Sequence, residues 1–337
     1  MKRSIFLAAL ATLTSGAALA QSSVTVYGRL NVSAERQKDG DTTINALQNN
    51  ASRIGFKGTE DLGGGLKASF LLEHGFNADT GAASGGAAGF WGRESWVGLE
   101  GAFGKVRLGN VGFGTAAYFA TADYISMHNH DTGTSSDAFY LYPGAPLTNV
   151  IAYATPTISG FAAEAQFGLK EATKTKNTFV LAGNYDAGPL HLGASYVSAP
   201  TGLATPPASD SAKEFGVRAL YELGAFTVGA YYINNKVDDG AGNSLKRNAI
   251  RLSGMYAMGA SEFHANFGKA SNFKANGTTV DDSGATQFTL GYNYNLSKRT
   301  KVYGFYTQVS NNDNAIYSVS NFGDKFSSLA VGVRHNF

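Results

Sequence analysis

The feature that most constrains this chain is an apolar–polar alternation with period two. It runs almost from end to end and is broken by connections that are by turns short and long. Val24, Val26, Gly28, Leu30 and Val32 share one face of an extended segment, and Thr25, Tyr27, Arg29, Asn31 and Ser33 share the other. The pattern recurs at Phe161-Ala163-Ala165-Phe167-Leu169, at Leu190-Leu192-Ala194-Tyr196 and at Phe288-Leu290-Tyr292-Tyr294. Period two is the strand period, and no segment sustains a helical one. Sixteen such segments are legible, at 24–36, 51–59, 66–76, 92–100, 104–110, 149–155, 160–169, 177–185, 190–198, 214–222, 225–234, 247–257, 261–270, 285–295, 300–310 and 328–337. Most approach the roughly 9–11 residues of a tilted strand that crosses a bilayer.

The connections fix the architecture. Long ones cover 37–50, 77–91, 111–148, 170–176, 199–213, 235–246, 271–284 and 311–327. Short ones lie at 60–65, 101–103, 156–159, 186–189, 223–224, 258–260 and 296–298. One end of the sheet is therefore all tight turns and the other all loops, the organisation of an outer-membrane barrel. A sheet of this many strands must close or split, and closure at this size encloses an aqueous channel. Tyr153, Tyr185, Tyr196, Tyr221, Tyr232, Tyr256 and Tyr294 cap the apolar face near strand ends, as an interfacial girdle requires. The expected fold is an all-β, 16-stranded antiparallel transmembrane barrel with long extracellular loops, short periplasmic turns and an apolar face toward lipid.

The chain's start reads as a targeting segment. Lys2 and Arg3 precede an apolar stretch from Ile5 to Leu13, and Ala18-Leu19-Ala20 forms an A-x-A cleavage site. Residues 1–20 are the expected signal peptide and 21–337 a single barrel domain. Cleavage would leave 25 of the 27 basic residues against 25 acidic ones. A neutral mature chain has no general electrostatic reason to bind nucleic acid, so any charge effect must come from local pattern. The absence of cysteine excludes disulfides, thiolate metal sites and thiol nucleophiles. An aromatic content of 12% with only 15% charged residues does not fit the disordered class.

The C-terminal segment alternates Leu329, Val331, Val333, His335 and Phe337 on one face. Val333, His335 and the terminal Phe337 are similar to the signal by which the barrel-assembly machinery recognises its substrates. Further blocks carry a wider resemblance. Ser23-Val-Thr-Val-Tyr-Gly-Arg29 opens the first strand, and the stretch from Ser52 to Lys67 is the most specific block. Gly92-Arg-Glu-Ser-Trp-Val-Gly-Leu99 with Phe103-Gly-Lys-Val-Arg-Leu-Gly109 forms the next hairpin, and Leu296-Ser-Lys-Arg-Thr300 a late turn. From the mature N-terminus to Phe337 the chain resembles the trimeric general porins of the β-proteobacterial, neisserial and Burkholderia-like type. The resemblance implies a homotrimer of barrels, each with a third loop folded into its pore. Two positions depart from it. Ala116 to Tyr124 lacks the Pro-Glu motif usual in the third loop, and Ala152 stands where relatives often carry a basic residue. Both departures imply a constriction wider or less basic than is typical.

No catalytic constellation is present. Lys105 and Lys269 follow glycines without the rest of a phosphate loop, and Gly193-Ala-Ser195 and Gly259-Ala-Ser261 complete no nucleophile elbow. His128 and His130 lie on a polar loop near Asp131, where histidines are ordinarily solvated, and Glu73 with His74 reads as a strand-end pair straddling the wall. No metal or cofactor is expected, nor an enzyme.

What remains is a charge pattern. Arg29, Arg53, Lys57, Lys67, Arg93, Lys105 and Arg107 fall on the lumen phase of the first five strands. With Arg93 inward, Val97 and Leu99 would face inward too. Only Glu35 and Glu73 are read as acids on that wall. The third loop supplies Asp123, Asp131 and Asp137 and no Lys or Arg. Folded inward, it sets acids across a narrow lumen from a basic wall, a transverse field that orients solutes and favours one ion sign. The expected function is passive diffusion of small hydrophilic solutes and ions with moderate anion preference. The alternatives are a solute-specific channel, for which the third loop offers Tyr118, Phe119, Tyr124, Phe139, Tyr140 and Tyr142, and an adhesin on the barrel scaffold. Small residues read as lipid-facing on the first strands (Gly28, Gly58, Ala68 and Gly98) would let neighbouring walls approach.

Overall fold

The computed structural model describes residues 23–84, 89–111, 115–121, 133–140, 148–171, 176–201 and 210–337. The expected targeting segment, 1–20, lies outside them. The strands are β1 (Ser23–Asp39), β2 (Thr42–Asn49), β3 (Arg53–Gly63), β4 (Leu66–Gly75), β5 (Glu94–Gly101), β6 (Gly104–Asn110), β7 (Val150–Ala154), β8 (Phe161–Gly168), β9 (Thr178–Ala187) and β10 (Leu190–Ala199). They continue as β11 (Ser211–Leu223), β12 (Phe226–Asp238), β13 (Ser244–Met258), β14 (Ser261–Ala270), β15 (Lys274–Ala275), β16 (Thr278–Thr279), β17 (Ala285–Asn295), β18 (Thr300–Asn311) and β19 (Lys325–Asn336). Among the described residues one short α-helix, α1 (Thr115–Thr121), lies in the third loop.

Each strand pairs antiparallel with its neighbours, and β1 pairs with β19, so the sheet closes on itself. The wall holds 16 strands. β2 and β3 share one position: β1 pairs Val32 with Asn49 of β2 and Arg29 with Arg53 of β3. Two residues separate the pairs on β1 and three on the other side, so a β-bulge sits at Asn50–Ser52, with Ala51 at φ 55°. β15 and β16 form a small hairpin above the wall, in which Lys246 of β13 pairs with Lys274. The connection read at 37–50 is thus not a loop. β1 runs on to Asp39 and returns as β2 through a turn at Gly40, and backbone pairing from Val32–Asn49 to Asp39–Thr42 keeps both arms extended.

The two faces are chemically opposite. Val24, Val26, Val97, Leu108, Phe215, Leu252, Leu290 and Val331 point out and stay exposed. Asn31, Ser33, Gln166, Gln287, Thr289, Asn293 and Thr307 point in and are buried. An inside-out distribution of this kind suits a wall with hydrocarbon outside and a polar interior. No helix among the described residues is long and apolar enough to span a membrane; the crossing is made by strands. The short turn between β3 and β4 uses Gly63, Gly64 and Gly65 at φ 85°, 60° and 81°, which side-chain-bearing residues rarely adopt.

Closure involves the last residue. Gly28 N–H donates to Phe337 O at 3.0 Å, and Phe337 N–H donates to Gly28 O at 3.1 Å. The Phe337 ring lies across Gly28, where any Cβ would collide with it. Leu329, Val331, Val333, His335 and Phe337 all lie on the outer face, and Thr300 Oγ1 and His335 Nδ1 are 2.8 Å apart.

Candidate functional site: the lumen

The third loop turns inward and seats on the inner wall at two places. At the first, Ala116, Ala117 and Ala120 of α1 pack on Val150 and Ala152 of β7, Val180 and Ala182 of β9, and Val197 and Ala199 of β10. The seat is close: a Cβ on Gly193 would collide with Ala120 O, and one on Gly216 would lie 2.5 Å from Thr121 Cγ2. Thr121 and Ser195 hydroxyls are 2.6 Å apart, and Arg218 donates to the Phe119 carbonyl at 2.8 Å. An arginine on the last-turn carbonyls suits the negative end of a helix. Ala152 is fully buried in the same apolar cluster, which also holds Val111 and Trp96, so this position does not line the water path.

At the second seat, Asp137 is gripped by Arg251, whose Nε donates at 2.9 Å and whose terminal NH2 nitrogen donates at 2.5 Å; the Tyr231 hydroxyl also donates to it. Gln287 spans the loop, accepting from Ala138 N–H at 3.0 Å and donating to Ser136 O at 2.9 Å. Arg247 donates to the Phe139 carbonyl and, at 2.9 Å, to Tyr317 Oη. Thr134 Oγ1 donates to Glu35 at 2.6 Å.

On the wall of the first strands Glu73 accepts from Arg93 Nε at 2.6 Å and from Tyr27 Oη at 2.8 Å, and stands 3.6 Å from Arg53 Nε. Lys57 Nζ lies 5.1 Å from the centre of the Tyr27 ring. Arg29 donates to Asn336 Oδ1 at 3.3 Å. Nearer the short turns, Arg107 pairs with Glu164, and Lys105 Nζ stands 3.6 Å from Glu100. Both cations lie over the Trp96 ring. Lys67 is exposed at the periplasmic rim on the same inner face. The Arg53 and Arg93 side chains keep 23% and 37% of their surface, whereas Arg218, Arg247 and Arg251 keep 2–3% as residues beneath the loop.

A charged lumen partly closed by an infolded loop is the plan of a diffusion pore, and the comparisons agree. The family model described as Gram-negative porin matches residues 7–314. The chain belongs to the Gram-negative porin family. This porin is 33% identical to outer membrane porin protein 32 of Delftia acidovorans, over the whole of both chains. It is 28% identical to an outer membrane porin protein of Bordetella pertussis, again over both whole chains. Among solved structures it is similar to an anion-selective porin from Comamonas acidovorans, with a TM-score of 0.77 and 27% identity, covering 94% of this chain and 100% of that one. The protein is an outer-membrane channel of that family.

Four expectations are corrected by the porin's geometry. Val97 and Leu99 face lipid, and Glu94, Trp96, Gly98 and Glu100 face the lumen. Arg93 still reaches Glu73 because it precedes β5 and escapes strand alternation. Gly98 is therefore not a lipid-side residue; its missing Cβ would meet Arg107 Cγ at 3.2 Å. The basic wall carries more carboxylates than Glu35 and Glu73, since Glu94, Glu100 and Glu164 stand among its cations. Asp137 does not oppose that wall, because its charge is spent on Arg251 across the loop seat. Asp123 and Asp131, with His128, His130, Tyr124 and Tyr142, lie outside the described residues. Of the loop aromatics, Phe139 is fully buried against Tyr317, and Tyr118 packs edge-on to Tyr140 with ring centres 5.4 Å apart. The sequence reading passed over Arg218, Arg247, Arg251, Gln287 and Trp96. Their strand phase places them inward, but only the loop path distinguishes a loop anchor from a pore-lining charge.

Proposed function

We propose that the porin is a passive, non-catalytic, water-filled pore for small hydrophilic solutes with moderate anion preference, set chiefly by Arg53 and Arg93. The observation that carries this is the arrangement around Glu73. Arg53 and Arg93 share that carboxylate, with Lys57 over the neighbouring Tyr27 ring, while Asp137 is paired with Arg251 at the loop seat. Arginine holds its charge at any working pH and presents it rigidly. At an effective dielectric constant near 20, a unit charge about 6 Å from a passing ion is worth roughly 3 kcal/mol before screening. Mobile ions reduce this to a few-fold effect on the permeability ratio. The anion-selective porin of Comamonas acidovorans supports the same sign.

The test is the zero-current potential in a salt gradient across a planar bilayer. Arg53→Gln/Arg93→Gln is expected to move it toward cation preference while conductance persists, since Glu73 is then unpaired. An unchanged potential at low salt makes these arginines structural partners of Glu73 only. The pore is proposed to act as a homotrimer, after removal of residues 1–20 and recognition of Val333, His335 and Phe337 by the assembly machinery. A depression of about 260 Å³ on the outer face, lined by Val24, Gly58, Ala68, Phe70 and Val97, supports the trimer as a place for a neighbouring wall.

A further inference from the structure

The ribbon formed by the top of β1 and by β2 leaves one strand edge bare. β2 pairs with β1 from Asn49 to Thr42, and among the described residues no strand pairs with its other side. At its foot the second loop touches it, through Ala78 N–H to Asn49 Oδ1 at 3.3 Å, but the contact stops there. Asn50 N–H donates to Asn31 O at 2.8 Å, so Gln48, Ala46, Ile44 and Thr42 turn their backbone groups to β1. By alternation the N–H and C=O groups of Thr43, Asn45 and Leu47 point to the free side. These three residues and Ile44 are exposed, and a depression of about 450 Å³ opens along Asn45, Ala46 and Leu47. Exposed edges are ordinarily blunted by lysine, proline or a bulge. Thr42-Thr-Ile-Asn-Ala-Leu-Gln-Asn49 carries neither charge nor proline.

The side chains on this edge match a second copy of themselves. With two β2 strands antiparallel about Asn45, Thr43 of each lies opposite Leu47 of the other, and Asn45 lies opposite Asn45, where one amide donates to the other. On the opposite face Ile44 meets Ala46 and Thr42 meets Gln48. Apolar groups thus meet apolar groups, amide meets amide, and no charge is opposed. Moving the register by two residues loses the match. One direction sets Asn45 against Leu47 and Ile44 against Gln48, and the other brings Asp41 against Leu47. Arg36 pairs with Asn45 within the ribbon, so the arginines of two joined ribbons stand three strand spacings apart. That is about 14 Å, beyond the screening length at physiological salt.

We propose that the free edge of β2 joins a second copy of this chain, strand to strand, with Asn45 at the two-fold axis. A cyclic trimer has no two-fold axis, so this contact joins separate assemblies rather than subunits of one. Its direction follows from the sheet. The axis relating two antiparallel strands stands normal to the sheet they form. β1 still pairs with β19 up to Asp39–Phe326, so the ribbon continues the wall and its normal lies close to the membrane plane. A two-fold axis in that plane inverts the second copy. The joined pores therefore meet mouth to mouth, one in each of two facing membranes, and the ribbon acts as a tether between them.

The chain has no cysteine, so a single introduced thiol reports the contact. Asn45→Cys porin carrying two different affinity tags is placed in two separate populations of phosphatidylcholine vesicles, and a membrane-impermeant maleimide sets the fraction with the thiol outward. After mixing and copper-phenanthroline oxidation, capture of one tag is expected to retrieve the other. Thr43→Cys is equally exposed but would lie about 14 Å from its own copy, against about 5.5 Å for position 45. It is expected to cross-link roughly tenfold more slowly, since a disulfide needs the shorter separation. Wild-type vesicles are expected to cluster, as read by light scattering. Asn45→Lys, which sets two ammonium groups opposite each other, is expected to cluster several-fold less at unchanged single-channel conductance. Equal rates at positions 43 and 45 mean random collision and overturn the proposal, as does unchanged clustering of Asn45→Lys. Cross-links confined to one vesicle population overturn the mouth-to-mouth arrangement. A trimer lost in mild detergent on Asn45→Lys assigns the edge to subunit contact and overturns it as well.

Discussion

Removing the Asp137 carboxylate isolates what holds the far end of the third loop. In Asp137→Ala the Arg251 guanidinium, with 3% of its side-chain surface exposed, loses both donations to that group and keeps Gln287 at 2.6 Å. Breaking a buried ion pair by deleting one partner costs about 3–5 kcal/mol, mostly for the charge left uncompensated. The wall's hydrogen-bond ladders are untouched, so the penalty falls on the docked loop. At about 1.4 kcal/mol per factor of ten, the docked-to-undocked ratio falls on the order of 10²–10³-fold. Single-channel recording at fixed voltage is expected to show the steady current replaced by flicker between two levels. Asp137→Ala/Arg251→Ala removes the orphaned charge, so it is expected to flicker less than Asp137→Ala alone, a non-additivity that a double-mutant cycle reads directly. A steady wild-type current in Asp137→Ala refutes the reasoning and leaves the α1 seat as sufficient to hold the loop.

Three further changes test the α1 seat, the C-terminus and the outer depression. Gly193→Val places carbon against Ala120 O, which already occupies the space a Cβ would need. Overpacking of about 1–3 kcal/mol is expected to push α1 toward the pore axis and lower single-channel conductance, with the melting temperature of the barrel little changed. Deleting Phe337 removes both hydrogen bonds to Gly28 and the ring over it. The yield of folded, heat-modifiable protein is expected to drop while export persists, as immunoblots of outer-membrane and periplasmic fractions would register. Ala68→Trp fills the outer depression beside Val24, Phe70 and Val97 and is expected to shift the mass in mild detergent from trimer to monomer.

The wall was legible because its physics is local. Period two, strand length and the short–long rhythm of connections depend only on neighbours in sequence, and they gave all sixteen wall positions. Errors arose where a local rule was extended past its range. Arg93 was used to phase β5, yet it stands before the strand begins at Glu94, so its reach to Glu73 said nothing about Val97. The segment 37–50 falls among the long connections because it lies between two alternating segments. Backbone pairing with β1 keeps it extended regardless of side-chain polarity.

The lumen was harder because its charges acquire meaning only from what covers them. Arg53 and Arg251 obey the same alternation and face the same interior, yet one meets water and the other lies under the loop. One signal for that division was present in the sequence. Val150-Ile-Ala-Tyr-Ala154 and Thr178-Phe-Val-Leu-Ala182 are apolar on both faces, whereas the lumen phase elsewhere is polar. A strand with apolar residues on both faces is a strand covered on both faces. In a membrane barrel lipid covers one side, so something from the chain must cover the other. The Ala-rich start of the third loop, Ala116-Ala-Tyr-Phe-Ala120, is the segment that does so. The same reasoning bears on the proposed anion preference. The described part of the loop takes up Arg218, Arg247 and Arg251 through its own carbonyls and Asp137, whereas Arg53 and Arg93 on the first strands keep 23% and 37% of their side-chain surface.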